Sequence, residues 1–337
     1  MSIDRINEID KSHMYEVYEK WPTIARESWN ENIDEIDIKN IDHVIFAGMG
    51  GSGTISDVMK AIFSKENIHI NITKGYVLPK TVDSDTLIVV TSVSGNTDEA
   101  LSILEQAHNS DAKIIAFSAG GKIEEFCIKN KIFFRKISVE HSPRSSFTKF
   151  LFIILNVLKS ITPITNEDIF EAIKTLENTG KKINISNSNS DNTSLEIAKW
   201  IKHTPVIYYP NGLNAVATRF KNSLQENAKI HVIIEEVLEV CHNGIVAWNK
   251  DSDFQPILIR GEDDHQKTKE RWDIIIEFFN KNGIEFLEIN SAKGNILTKI
   301  INLIYITDFA SIYHAVLNEV DPTPVKAIEY VKERLIR

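Results

Sequence analysis

Cysteine is nearly missing from this chain: Cys127 and Cys241 are the two present, too few for a disulfide framework and in keeping with a reducing compartment. Metal-ligand spacings are missing as well. The 10 histidines include no H-x-H, H-x-x-x-H or H-E-x-x-H arrangement and the cysteines lie 114 positions apart, so no metal site is expected. Positive charge is in deficit, with 38 Lys and Arg against 47 Asp and Glu, a net charge of -9. A chain with a pI near 5.6 has little to offer a phosphate backbone, which argues against nucleic acid as a partner. No uninterrupted apolar run approaches the roughly 18–20 residues of a membrane span. The greasiest piece, Leu151 to Leu158, is broken by Asn156. The opening residues, MSIDRINEID, carry charges of both signs and no apolar run, so no secretory leader and no membrane partner is expected. The expectation is a soluble cytoplasmic protein.

What is present is an ordinary globular mixture, 42% hydrophobic and 25% charged over 337 residues, enough for two domains or one large one. From Asp42 onward, Ile- and Val-rich runs (Val44 to Gly48, Ile70 to Thr73, Leu87 to Ser92, Ile114 to Ser118, Ile132 to Ile137) alternate with helical stretches such as Ser52 to Ser64 and Asp98 to Ala107. That alternation predicts an α/β fold with parallel, doubly covered strands. The polar stretch around Asn184 to Ser194 has neither period and reads as a linker. The pattern then restarts with strands at Val206 to Pro210, His231 to Glu236, Pro256 to Arg260 and Glu285 to Ile289, and helices at Leu213 to Asn227 and Gln266 to Asn282. Two helices finish the chain, Ile296 to Asn318 and Val325 to Leu335, parted by Pro322 and Pro324. The organisation expected is a helical arm over 1–40, a first α/β domain over 41–165, a helix and linker over 166–195, and a second α/β domain over 196–337.

Parallel sheets place ligands outside the carboxyl ends of their strands, so the loops there carry the functional argument. The first, Gly48 to Gly53, reads G-M-G-G-S-G and matches the dinucleotide fingerprint G-x-G-x-x-G at Gly48, Gly50 and Gly53. The acid that should follow the second strand to hold a ribose is missing, because the chain there reads Ile72, Thr73, Lys74, Gly75. The glycines and Ser52 still suit an anion at a helix N-terminus, and a tight turn with no ligand is the plainer alternative. The third strand ends in S-V-S-G-N-T, Ser92 to Thr97, opening a second helix. Its three hydroxyls make a neutral phosphate cradle, or a simple N-cap cluster.

With these motifs in view the chain resembles the archaeal-type bifunctional phosphoglucose/phosphomannose isomerases of the sugar isomerase (SIS) domain superfamily. The resemblance spans nearly the whole chain. It rests on GMGGSG at Gly48, GYVLP at Gly75, SVSGNTDEAL at Ser92, PRSS at Pro143, FKNSLQENAK at Phe220, CHNGIVAW at Cys241 and DFASIYHAVLNEVDPTPVKAIEYVK at Asp308. It implies two SIS-type, flavodoxin-like three-layer αβα domains and a phosphate site at Gly51, Ser52, Ser92, Ser94 and Thr97. It also implies Arg144 as the cation at the enediolate, Glu226 as base and His242 as the ring-opening group. In the family that histidine is contributed across a homodimer interface. Lys332 is implied as an aid to ring opening, with Lys326 close enough to compete. The chain departs from the family at Cys241, where asparagine is usual, at Gly244, where glutamate is common, and at Val93, where tyrosine is frequent.

These residue types fit aldose–ketose isomerisation without the family. Moving a proton between C1 and C2 needs one base, a cation where charge develops, and a group of near-neutral pKa to open the ring. It needs no metal and no cofactor. A zinc-dependent enzyme of the cupin type would need an all-β pattern that is not there. Two further readings stay open: an NAD(P)-dependent oxidoreductase using Gly48 to Gly53, and a non-catalytic phosphosugar sensor. A nucleophilic Cys241 is disfavoured against a bystander thiol.

Overall fold

The apolar runs become the strands of two separate sheets, every strand pair in them parallel. The computed structural model describes residues 3–33, 36, 38–187, 191–250 and 252–335. The chain divides into two compact units, one of Lys20–Leu176 with Gly294–Ile300, the other of Met1–Glu19, Glu177–Lys293 and Ile301–Arg337. Three short helices open the chain, α1 (Ile3–Ile9), α2 (Met14–Glu19) and α3 (Trp21–Trp29). Next come β1 (His43–Ala47), α4 (Gly50–Ile62), β2 (His69–Thr73), β3 (Thr86–Ser92), α5 (Asp98–His108), β4 (Lys113–Ser118), α6 (Gly121–Asn130) and β5 (Phe133–Lys136). Their sheet has the order β2-β1-β3-β4-β5. The central strands β1 and β3 are buried along their whole length, which is why they read as unbroken apolar runs. Ile45, Ile88 and Val90 pack on Ile103 and Leu104 of α5 and on Ile123 and Cys127 of α6.

Helices α7 (Phe147–Val157), α8 (Asn166–Ile183) and α9 (Thr193–Trp200) follow. Helix α7 takes up the greasy run and packs on α3, with the Trp21 and Phe147 rings 6.0 Å apart. Asn156, the interruption in that run, is buried and donates to the carbonyls of Trp29 (2.8 Å) and Glu31 (3.0 Å). It closes carbonyls at the end of α3 that an apolar residue would leave unpaired. The polar stretch read as a linker is ordered at its end. Asn192 and Ser194 are fully buried, Asn192 caps α9 by accepting from Leu195 N (3.0 Å), and Ser194 donates to Ile306 O (2.7 Å). Residues 188–190 of that stretch lie outside the described residues.

The second sheet comes from β6 (Thr204–Tyr209), α10 (Asn214–Ser223), a π-helical turn (Leu224–Ala228), β7 (Ile233–Glu236), α11 (Val237–Val240), a 3-10 turn (Gly244–Asn249), β8 (Phe254–Arg260), α12 (Gln266–Lys281) and β9 (Leu287–Asn290). Its order is β7-β6-β8-β9. Tyr208 and Leu258 pack there on Trp272, Ile275 and Phe279 of α12. Two helices, α13 (Ile296–Leu317) and α14 (Lys326–Leu335), end the chain. By length and composition α13 could cross a membrane, but 94% of its apolar window is buried inside the protein. It is a core helix and exceeds the Leu151–Leu158 run in apolar length. No residue of α14 is buried.

Candidate functional site

In the first unit the crossover to β2 leaves β1 on one side and β3 lies on the other, so β1 and β3 flank a topological switch point. Ligands of open α/β sheets bind in the crevice at such a point. Ala47 pairs with Val90, which sets Gly48 level with Thr91 and brings the glycine loop beside the S-V-S-G-N-T loop. Gly48 is required by that approach: a Cβ there would lie 2.9 Å from Thr91 O and 3.0 Å from Ser52 Cβ. Helix α4 starts behind Met49 and α5 behind Thr97, and neither cap residue makes a side-chain cap bond. The Thr97 hydroxyl is instead 2.7 Å from that of Ser92, whose oxygen also accepts from Gly95 N (3.2 Å). The N-cap alternative for this cluster is therefore not what the chain builds. Ser52 is buried in the first turn of α4 and Gly51 is half-buried beside it. Ser94 is exposed, its oxygen accepting from Asn96 N (3.3 Å).

The S-V-S-G-N-T loop is held from behind by the β4–α6 loop, a contact the sequence reading did not anticipate. Gly95 has φ +68, and a Cβ on it would stand 1.7 Å from Gly120 O. Ala119 N donates to Val93 O (3.1 Å), Ile123 N to Gly95 O (3.0 Å), and Lys122 N to Asn96 Oδ1 (3.1 Å). Asn96 thus serves the first turn of α6, leaving Ser92, Ser94 and Thr97 on the crevice loop. The available signal was the Ser-Ala-Gly-Gly run, Ser118 to Gly121.

Lys74, standing where a dinucleotide enzyme needs an acid, donates to both oxygens of the buried Asp57 carboxylate at 2.8 and 2.6 Å. Its Cε lies 3.2 Å from where a Cβ on Gly53 would be. The third glycine of the fingerprint thus makes room for a lysine side chain and for Gly48 O at 3.0 Å.

Arg144 belongs to the same unit. The plainer reading of Pro143–Arg144, a surface arginine in a turn, does not hold: Arg144 is 5% exposed. The turn is pinned by its serines. Ser142 N donates to Ser145 Oγ (3.0 Å), the Ser142 and Ser145 hydroxyls are 2.8 Å apart, and Ser146 Oγ donates to Ser142 O (2.8 Å). Trp21 Nε1 closes the far side on Ser145 O (3.1 Å). Three small hydroxyls serve a backbone that leaves the ladder, so the arginine sits on a rigid turn.

Glu226, His242 and Lys332 belong to the other unit. Glu226 is half-buried in the π turn that ends α10, a rare backbone form that occurs mostly as single turns and is frequent at functional sites. One face of α10 and this turn binds α13 through buried polar groups. Arg219 Nη2 donates to Asp308 Oδ2 (2.7 Å), Ser223 Oγ to Asp308 Oδ1 (2.6 Å), and Asn227 Nδ2 to Ser311 Oγ (2.8 Å). Burial works to lower the Arg219 pKa and is overcome by Asp308, with Tyr18 and Glu226 adding to the effect, so the guanidinium titrates above its ordinary range. His242 is exposed at the end of α11. The turn after it is anchored by Trp248, whose Nε1 donates to Tyr208 Oη (2.8 Å). At Gly244 a Cβ would stand 2.7 Å from Glu235 Oε2, the far end of a flexible side chain. Cys241 packs into the Trp272–Phe279 cluster, which fits a bystander thiol. Lys326 and Lys332 are both exposed on α14, about 120° apart around its axis, so they present to different sides.

Among the described residues no group of three or more His, Cys, Asp or Glu side chains is placed to hold a metal ion. Two family models match: "SIS domain" over residues 37–158 and "Bacterial phospho-glucose isomerase C-terminal SIS domain" over 190–335. The chain is 31% identical over 309 residues to the bifunctional phosphoglucose/phosphomannose isomerase of Caldicellulosiruptor bescii, covering 88% of this chain and 90% of that one. It is 30% identical over 298 residues to the enzyme of the same name from Thermoplasma acidophilum, covering 87% and 89%. Among solved structures, a glucose-6-phosphate isomerase like protein from Thermus thermophilus superposes with a TM-score of 0.61 at 15% identity, over 98% of this chain and 97% of that one.

Proposed function

The chain belongs to the family of bifunctional phosphoglucose/phosphomannose isomerases, and from that premise we propose that it interconverts glucose 6-phosphate or mannose 6-phosphate with fructose 6-phosphate. The observation that carries the reading is the pair of loops at the β1–β3 switch point, each opening a helix whose cap residue makes no side-chain cap. First-turn N–H groups of α4 and α5, with the hydroxyls of Ser52, Ser92, Ser94 and Thr97 and the backbone of Gly51, bind the phosphate dianion. Glu226 carries the proton between C1 and C2. Arg144, immobile on its serine turn, meets the negative charge that develops on the enediolate oxygens, and a guanidinium does so without giving up a proton. His242 opens the pyranose ring, assisted by Lys332. By analogy with the family, the active form is a homodimer in which His242 serves the neighbouring subunit's site, and its exposure leaves the side chain accessible for that. No metal or cofactor enters this scheme.

The functional division is a first domain over 41–165 that holds phosphate and a second over 196–337 that holds the base, joined by 166–195 and preceded by the 1–40 arm. The protein acts in the cytoplasm. Two observations weigh against the alternatives. The Lys74–Asp57 pair occupies the place of the ribose-binding acid that a nicotinamide enzyme requires. The buried Arg144, taken together with Glu226 and His242, is more than a mere sensor of phosphate needs. A coupled assay with glucose 6-phosphate and mannose 6-phosphate in the presence of a chelator tests the reading. Turnover of at least one sugar is expected, and a thermal shift with NAD(P) in place of turnover would replace it.

A further inference from the structure

Lys229 ends the π turn of Glu226 in the left-handed conformation, φ +60, a position at which helices commonly place glycine. A β-carbon there costs free energy that glycine would avoid. Its ammonium is ringed by four backbone carbonyls. Two belong to the π turn, Glu226 O at 2.5 Å and Asn227 O at 3.3 Å. The other two belong to the Asp321–Pro322 turn ahead of α14, at 3.3 and 3.1 Å. Both groups of carbonyls suit a cation: the first lies at the negative end of a helix, the second at a turn whose proline supplies no N–H. Helix α14 buries no residue of its own, so the turn ahead of it is where it can be held.

We propose that Lys229 is a positioning residue, an ammonium clamp that fastens the turn carrying Glu226 to the turn from which α14 and Lys332 project. The consequence for catalysis rests on the isomerase reading. The base and the ring-opening lysine keep one relative placement because one ammonium holds both backbones.

The test is Lys229→Gly, with Lys229→Asn as a second variant that tolerates the left-handed backbone and also removes the ammonium. Glycine relieves the strain, so the variant folds with a melting temperature close to that of the parent. Hydrogen exchange of residues 321–335 should quicken while that of α10 and the β6 core stays as in the parent. With glucose 6-phosphate, kcat/KM should fall by up to about 10²-fold, the scale of a misplaced catalytic group. A residue that merely terminates the turn would leave exchange and kcat/KM unchanged or improved in Lys229→Gly, and that result overturns the clamp. Faster exchange with unchanged kcat/KM overturns its positioning role. If the parent turns over no phosphosugar while residues 321–335 still loosen, the isomerase reading fails and the clamp between the two turns stands.

Discussion

Glu226 sits where the backbone widens from α into π, one residue before Asn227, whose amide is buried against Ser311. The carboxylate therefore projects from a turn that cannot rotate without unpairing a buried amide. Glu226→Gln keeps the shape but cannot accept a proton, so isomerisation should drop by about 10²–10⁴ while phosphosugar binding, read by calorimetry, stays near that of the parent. Substantial turnover by this variant would move the base elsewhere. On the crevice loop the Ser92–Thr97 hydroxyl pair and the exposed Ser94 are the donors a phosphate can recruit. Each charge-assisted hydrogen bond lost is worth roughly 1.5–3 kcal/mol, or about tenfold or more in affinity. Changing Ser94 and Thr97 together to alanine should therefore raise the Michaelis constant for sugar phosphates strongly. Neither residue belongs to the apolar core, so the far-ultraviolet dichroism should not change. Retained affinity in the double variant would remove the loop from the phosphate site.

Helix α10 and its π turn are placed by a polar seam rather than an apolar one. Arg219 and Ser223 grip Asp308, and Asn227 grips Ser311 one turn further along α13. Such a seam fixes register, because a slip of one residue would strand a buried charge. Asp308→Ala takes from the buried Arg219 guanidinium the carboxylate it is paired with, and breaking a buried pair this way costs about 3–5 kcal/mol. A urea midpoint well below that of the parent is expected. The double change Arg219→Met with Asp308→Leu should recover most of that stability, since replacing both partners removes the desolvated charges, and a midpoint no higher than that of Asp308→Ala would contradict this account. On the other unit, the crevice loop owes its shape to Gly95 lying against Gly120 O, so the two loops stand or fall as one element.

For the molecule as a whole, the proposed residues fall in two groups: Gly51, Ser52, Ser92, Ser94, Thr97 and Arg144 in one unit, Glu226, His242 and Lys332 in the other. If His242 serves the neighbouring subunit, chains inactivated by Glu226→Gln and by His242→Ala should complement one another, since a mixed dimer assembles one intact site. Partial recovery of activity on mixing is expected after subunit exchange has been verified by mass. Failure to recover would return both residues to one chain.

Fold class was legible from the sequence because a strand buried on both faces must be apolar at every position. Val44 to Ala47 and Leu87 to Val90 announced β1 and β3 for that reason. The two crevice loops were legible too, since glycine and hydroxyl residues at the carboxyl ends of such strands suit an anion at a helix N-terminus. Helix capping and pairing by side chains were not. Nothing in Asn96, Asn156 or Asn192 by itself says that the first serves α6, the second the end of α3 and the third α9, because an asparagine's partner is chosen by whichever backbone group is left unpaired nearby. The same holds for Arg144, whose burial depends on a serine turn closed by distant Trp21. It holds again for Arg219 and Lys229, whose partners Asp308 and Asp321 lie 89 and 92 positions away along the chain. Local pattern decides which segments become strands and helices and which loops face the crevice. The placement of individual charges is decided only when the folded chain removes water from them and leaves each to the partner within reach.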